Sequence, residues 1–208
     1  MHVWTYVITY DEGGAPNFEP PATTLTVCKP RIRRAARPGD LVLAFNGARL
    51  NRAEPHSVRW AGVVSEVIPM QDYWNDPRFQ GKKQGRAQEL PDNIYRPTDD
   101  GRFEQVPNDT HKPDALATDV GGKNALVLKP SWRFGPTVAV LPAHFKLRMT
   151  GGRRVDPHVE IDEPTWRELK QWLDDNAPSA GLEPSIDRGT HCAPERGSGR
   201  AARRKCDG

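Results

Sequence analysis

The stretch Cys28-Lys29-Pro30-Arg31-Ile32-Arg33-Arg34-Ala35-Ala36-Arg37-Pro38-Gly39-Asp40, running straight into Leu41-Val42-Leu43-Ala44-Phe45, decides how the chain is read. Pro30 suits the first turn of a helix, where its missing N–H is no loss. Ile32, Ala35 and Ala36 stand at i, i+3 and i+4 and share one face that can pack inward. Arg31, Arg33, Arg34 and Arg37 then point away from that face. Pro38-Gly39-Asp40 ends the helix and turns the chain into an apolar strand. The pattern predicts a short cationic helix held against a sheet. Five cations fall in nine residues, Lys29 to Arg37, with no acid between them. Their forked donors, with the free N–H groups of the helix's first turn, suit phosphate. The competing reading is a plain solvated arginine face.

The charge is local. The 208 residues carry a net charge of only +3, so the chain is not a generally basic coat for nucleic acid. Mean hydropathy is -0.73, and 20 prolines predict many turns. The length fits one domain, or one domain and a tail. No apolar run approaches the ~20 residues that span a bilayer, so no membrane partner is expected. The opening Met1-His2-Val3-Trp4-Thr5 has neither a charged leader nor a long apolar core, which predicts a cytoplasmic protein. Cys28, Cys192 and Cys206 have no regular spacing and give no disulfide framework. His191, Cys192 and Cys206 fit no zinc motif, so the sequence predicts no metal and no cofactor.

Working outward, Val3 to Tyr10 is β-branched and aromatic and reads as an opening strand. Asp11 to Asn17 is a loop by its turn chemistry. Thr23 to Cys28 is a second extended run. Val58 to Ile68 is the longest strand signal, with Trp60, Gly62, Val64, Glu66 and Ile68 on one face and Arg59, Ala61, Val63, Ser65 and Val67 on the other. Gly62 in its middle predicts a bulge or a close backbone approach. Met70 to Asp76 predicts a short helix. Residues 77–122 are loop-rich, and so long an irregular stretch in a compact domain is often functional. Asn124–Leu128 and Thr137–Leu141 predict two more strands. Glu163–Asn176 is the clearest helix, with Asp162 as N-cap, Pro164 in the first turn, and Trp166, Leu169, Trp172 and Leu173 as its buried stripe. From Pro178 the composition shifts to Gly, Ser, Pro, Arg and Ala, which predicts a disordered basic tail. The expected organisation is one domain over 1–177 and a tail over 178–208. Alternating βαβ units are absent, so the expected class is α+β: a small mixed β-barrel with flanking helices.

No phosphate-binding P-loop, dinucleotide fingerprint, nucleophile elbow or metalloprotease helix is present. Three constellations remain. In the first, Thr24, Cys28, Lys29 and Arg31 surround the basic helix, and a lysine beside a threonine can form an activated nucleophile. Cys28 reads as a small buried residue rather than a reactive thiol. The second is Tyr73-Trp74-Asn75-Asp76-Pro77-Arg78-Phe79. Aromatic faces stack on bases at about 1–3 kcal/mol each, and amides and carboxylates read base edges. Equally, Trp74 and Phe79 can plug a barrel end while Asp76 and Arg78 form a local ion pair. The third joins Asp92-Asn93-Ile94-Tyr95-Arg96 to Ser131-Trp132-Arg133-Phe134. Asn93 can donate and accept toward one base edge, with Tyr95 and Trp132 as opposite walls of a slot. Core packing between strands is the other reading of Trp132.

These segments, in this order, resemble the nucleotide modification associated domain family of the second type. The resemblance is carried by the opening strand with Asp11 and Ala15-Pro16-Asn17, by Cys28-Lys29-Pro30-Arg31-Ile32-Arg33 with Gly39-Asp40, by Tyr73 to Phe79, by Asp92-Asn93-Ile94-Tyr95, and by Phe134-Gly135. It spans roughly residues 1–145 and implies a PUA-like β-barrel, akin to EVE, ASCH and YTH domains, that takes a modified base into a pocket beside the barrel. It also implies a link to phage and bacterial DNA-modification systems, and it supplies no established catalytic residues.

The combined expectation is a module that flips a modified base of DNA or RNA into an aromatic pocket. Tyr73, Trp74, Tyr95 and Trp132 would stack on the base and Asp76 and Asn93 would read its edge. Lys29, Arg31, Arg33, Arg34 and Arg78 would hold phosphates, which fix register but not sequence. One alternative is a small amidohydrolase- or nuclease-like enzyme using Thr24, Lys29 and Asp76, with Lys29 as base. Another is a protein-interaction domain whose arginines meet an acidic partner.

Overall fold

The computed structural model describes residues 1–9, 16–52, 54, 57–83, 90–108, 111–134, 138–147 and 158–178. In chain order the strands are β1 (His2–Ile8), β2 (Thr23–Leu25), β3 (Leu41–Asn46), β4 (Val58–Pro69), β5 (Tyr95–Pro97), β6 (Phe103–Gln105), β7 (Asn124–Arg133) and β8 (His158–Glu160). The helices are α1 (Pro30–Ala35), α2 (Met70–Asn75), α3 (Leu116–Val120) and α4 (Glu163–Asn176). Six strands form one sheet in the order β2-β7-β4-β3-β1-β8, and β5 and β6 pair separately. β1 and β3 run parallel, because β2 and α1 carry the chain back between them; the other pairs are antiparallel. The α+β class is as expected, but the described strands form an open order, not a closed barrel. β2 and β8 have three residues each and stand at the two ends of the strand order; beyond β2, among the described residues, Asn17 alone pairs, through one bridge to Thr24.

Strand alternation divides the core into two faces. Val3, Leu41, Leu43, Phe45, Ala61, Trp132 and Phe134 pack on one side with Leu169 and Leu173 of α4. Trp4, Tyr6, Ile8, Val42, Ala44, Trp60, Val64, Leu126 and Leu128 pack on the other with Ile32 and Ala36 around α1. α4 begins as its sequence predicts: the Thr165 N–H donates to the Asp162 carboxylate at 2.9 Å. Trp166 and Trp172 are only partly buried beside its two leucines.

The turn after α1 is pinned by Asp40, which is buried and accepts from the Trp4 indole N–H at 3.0 Å and from the Arg37 backbone N–H at 2.9 Å. Gly39 takes φ 92°, a left-handed conformation that a side chain would strain. α1 differs from its expected facing at two positions. Ala35 is exposed, and Arg33 is fully buried rather than turned to solvent.

β4 also departs from uninterrupted alternation. Its register against β7 shifts between Gly62 and Val64 and again between Val64 and Glu66. Val67 consequently packs on the Trp60 side, while Ile68 joins Tyr73 and Phe79. The predicted strand at Thr137–Leu141 is reduced, in its described part, to one bridge between Ser57 and Val140. β7 instead continues past Pro130 to Arg133, with the proline placed where the ladder shifts. The stretch predicted to be loop-rich holds a 3-10 turn at Pro77–Lys83, the β5–β6 pair and α3. Among the described residues no helix is long and apolar enough to cross a membrane. The expected basic tail, apart from Pro178, lies outside the described residues, as do Asp11, Gly13, Gly14, Ala15 and Gly135.

Gly62 lies against Leu128 of β7 with no room for a side chain: a methyl group there would stand 2.9 Å from Leu128 Cβ. Gly62→Ala is expected to destabilise the domain by about 1–3 kcal/mol, the usual cost of forcing atoms into a packed core. A urea unfolding curve whose midpoint does not move would contradict this account of the bulge.

Candidate functional site

α1 presents its charge unevenly. Arg31, Arg34 and Arg37 are exposed. Among the described residues, Arg34 and Arg37 have no side-chain hydrogen bond or ion pair. Four other surface arginines have acid partners: Arg78 with Glu66 at 2.9 Å and Asp76 at 2.8 Å, Arg96 with Glu104 at 2.5 Å, Arg102 with Asp100 at 2.5 Å, and Arg167 with Glu163 at 3.0 Å; exposed Arg52 has none among the described residues. Beside α1, the Lys29 ammonium sits 4.3 Å from the centroid of the Tyr6 ring, and the Tyr6 hydroxyl accepts from the Trp60 indole at 3.0 Å.

Cys28 and Lys29 connect β2 to α1 through two successive left-handed residues, φ 55° and 45°, a strained backbone that needs support from its surroundings. Arg33 supplies part of it. Its Nε donates to the Cys28 carbonyl at 2.8 Å and its Nη1 to the Asn124 carbonyl at 2.9 Å. Its Nη2 donates to the Asp119 carbonyl, and Nη1 also lies 3.4 Å from Met70 Sδ. Burial lowers this guanidinium to about 10, still cationic at neutral pH. Gly122 leaves room for it: a methyl group there would overlap the guanidinium.

A thiol, an imidazole and a carboxylate meet at the same turn. The Asp119 carboxylate accepts from the Cys28 backbone N–H at 2.6 Å and from the Tyr95 hydroxyl at 2.6 Å. His111 Nδ1 lies 3.2 Å from Asp119 Oδ2. Burial works to raise the Asp119 carboxyl, but the hydrogen bonds from His111, Tyr95 and the Cys28 N–H outweigh it and hold it below its ordinary value. Burial and the Asp119 charge raise the Cys28 thiol. One ligand atom from each of Cys28, His111 and Asp119 lies within 4.8 Å of the others, a grouping able to hold a metal ion.

A second network lies under β2, wholly inside the protein. Lys82 is 1% exposed. Its ammonium donates to the Asn17 side-chain oxygen at 2.8 Å, the Thr24 hydroxyl at 2.9 Å, the Ala22 carbonyl at 2.9 Å and the Asn17 carbonyl at 3.1 Å. The Thr24 hydroxyl in turn donates to Asp92 Oδ2 at 2.6 Å, and the Tyr73 hydroxyl to Asp92 Oδ1 at 2.9 Å. Burial raises the Asp92 carboxyl to about 6 against the pull of Lys82 and its hydroxyl donors. Nothing in Gly81-Lys82-Lys83 marks one lysine as buried; only the tertiary contacts separate it from Lys83, whose ammonium lies 3.6 Å from the Trp74 ring centroid.

The residues expected to form an aromatic slot are dispersed. Tyr73 and Tyr95 are each 1% exposed and belong to separate apolar clusters. Trp132 packs against α4 on the opposite face from α1, with its indole N–H on Asp174 at 2.8 Å. Asn93 is buried and donates to the Tyr73 and Phe79 carbonyls at 3.2 and 3.3 Å. Of the six residues assigned to the base, Trp74 and Asp76 alone are part-exposed, and Asp76 is paired with Arg78. Thr24, Lys29 and Asp76 are held by three different sets of partners rather than gathered into one centre. Of the expected phosphate set, Arg33 and Arg78 are committed to protein acceptors, while Arg34 is exposed with no side-chain partner among the described residues. Sequence reasoning missed Lys82, His111 and Asp119 because each acts through partners distant along the chain.

The fold is that of an α+β domain whose cationic helix and polar turn lie on one side of an open sheet. The chain matches the family model of nucleotide modification associated domain 2 over residues 1–187 and belongs to that family. No curated protein and no solved structure matches it.

The raised Asp92 fixes the sign of a pH effect. Its folded value of about 6 lies above the ordinary aspartate value near ~3.9. The contribution is therefore complete below about pH 3.9 and fades as the pH rises through about 6. Asp92→Asn removes the titration, so the stability of the unaltered protein relative to this variant is expected to fall from about pH 4 to pH 7. Urea midpoints of both proteins across that range measure it; a constant difference would show that Asp92 does not titrate there.

Proposed function

We propose that the protein binds nucleic acid and, within it, a modified nucleotide. Phosphates meet the outer side of α1 and the nucleotide lies against the Cys28–Lys29 turn. One observation carries the reading: Arg34 and Arg37 stand side by side on one exposed surface with no acid partner among the described residues, while Arg78, Arg96, Arg102 and Arg167 are paired. Arginine forks suit phosphate oxygens, and an unpaired guanidinium meets them without first breaking an ion pair. Arg31 and Lys29 extend the same surface. Membership of a nucleotide modification associated family supports the choice of nucleic acid over an acidic protein. The PUA-like relationship belongs to this proposal too, since such domains lodge a base beside a small sheet.

The test is anisotropy titration of labelled duplex DNA, single-stranded DNA and RNA, each plain and modified, over a range of salt. Arg34→Ala with Arg37→Ala is expected to weaken binding uniformly across sequences. On duplex DNA it should reduce the slope of log K against log salt by about 2, near 0.9 for each phosphate no longer neutralised. The paired residues Arg96 and Arg102, changed together to alanine, serve as the charge-matched control. Equal losses in both variants, or no binding by the unaltered protein, would defeat the proposal.

A further inference from the structure

We propose that Cys28, His111 and Asp119 form a binding site for a divalent transition metal of the zinc class, with a fourth coordination position left open. A thiolate, an imidazole and a carboxylate are all established zinc ligands. Bonds of about 2.0–2.3 Å place tetrahedral ligand atoms roughly 3–4 Å apart. His111 Nδ1 and Asp119 Oδ2 already have such a separation, 3.2 Å. One Cys28 ligand atom completes a group within 4.8 Å, so the thiol needs only a side-chain adjustment to close on an ion.

The surroundings hold these residues in place. The Tyr95 hydroxyl and the Cys28 N–H, both 2.6 Å from the carboxylate, orient Asp119. Such outer hydrogen bonds are characteristic of metal centres, because they fix ligand geometry before the ion arrives. An ionised carboxylate has about four acceptor directions, so these two donors leave capacity for a metal. Arg33 holds the backbone carbonyls of both Cys28 and Asp119. The His111 backbone is fixed by its N–H on Asn108 Oδ1 at 2.7 Å and by Gln105 Nε2 on its carbonyl. Buried Gln105 Oε1 has no hydrogen-bond partner, an independent sign that the neighbourhood is polar and incompletely satisfied.

Two anionic ligands neutralise a divalent ion, which suits a site this buried. On binding, the protonated thiol loses its proton to solvent and the proton that His111 Nδ1 shares with Asp119 gives way to the other tautomer, carried on Nε2, so affinity should rise with pH through the thiol. Three protein ligands with an open position match catalytic rather than structural zinc sites. The site stands apart from the nucleic-acid reading: the ion can bind whether or not the arginines meet phosphate.

The test uses the full chain with Cys192→Ser and Cys206→Ser, which leaves Cys28 as the only thiol. Cobalt(II) is the optical probe and zinc(II) the competitor. One equivalent of cobalt is expected to give thiolate-to-metal charge transfer and the visible bands of a tetrahedral ion, both abolished by zinc. Cys28→Ser should remove the charge-transfer band. Tyr95→Phe should keep the band and weaken affinity about 10- to 100-fold, the usual effect of losing an outer hydrogen bond. Circular dichroism establishes that each variant is folded. No charge-transfer band in the Cys28-only protein, or a band that survives Cys28→Ser, would overturn the proposal.

Discussion

The burial of Arg33 is the constraint on which the polar side of this domain depends. A buried guanidinium without acceptors is very costly, so its donors must be matched by fixed oxygens. The protein supplies the carbonyls of Cys28, Asp119 and Asn124, which belong to the turn before α1, to α3 and to the start of β7. One side chain thus joins three segments, the farthest of them 91 residues from it along the chain. It holds the left-handed Cys28 against Asp119, and so brings together the thiol, the imidazole and the carboxylate. Removing Arg33 would release that turn, but would leave the sheet's two apolar faces largely untouched.

Lys82 does comparable work under β2 by a different route. Its ammonium draws oxygen acceptors from Asn17, Ala22 and Thr24, and Thr24 passes the connection on to Asp92 and Tyr73. Two buried cations therefore bracket the short segment from Thr23 to Cys28. β2 itself has three residues, with β7 on one side and a single bridge to Asn17 on the other, too little ladder to define its position. Its place in the structure rests on these charged anchors.

Much of the scaffold was legible in the residues because local rules govern it. Glu163–Asn176 has its cap, its proline and its apolar stripe close together along the chain; the cap and proline are realised, and of the stripe Leu169 and Leu173 are buried while Trp166 and Trp172 are partly so. Gly62 announced a bulge, and β4 has one there. What failed was reading beyond a single segment. Arg33 looks like its neighbours Arg31 and Arg34 along the chain, and only the oxygens of α3 and β7 make it an interior residue. Chemistry alone puts Trp132 and Tyr95 in one slot, yet the sheet passes between the α4 core that holds Trp132 and the face carrying α1. A spacing rule for metal ligands is equally blind here, since residues 28, 111 and 119 converge only through the fold.

The distribution of charge then separates two roles that a single run of cations had seemed to share. Within nine residues, Arg33 organises the interior while Arg34 and Arg37 remain turned to solvent. A buried guanidinium bonded through all three of its nitrogens cannot reach a phosphate without dismantling the turn it supports, so any anionic partner must be met by the outer residues. The outer residues can change affinity without disturbing the Cys28–Asp119 contact, and the inner one can fix that contact without contributing to the surface charge. Surface charge and the geometry of the polar turn are therefore separable in this domain, although adjacent residues of one six-residue helix carry both.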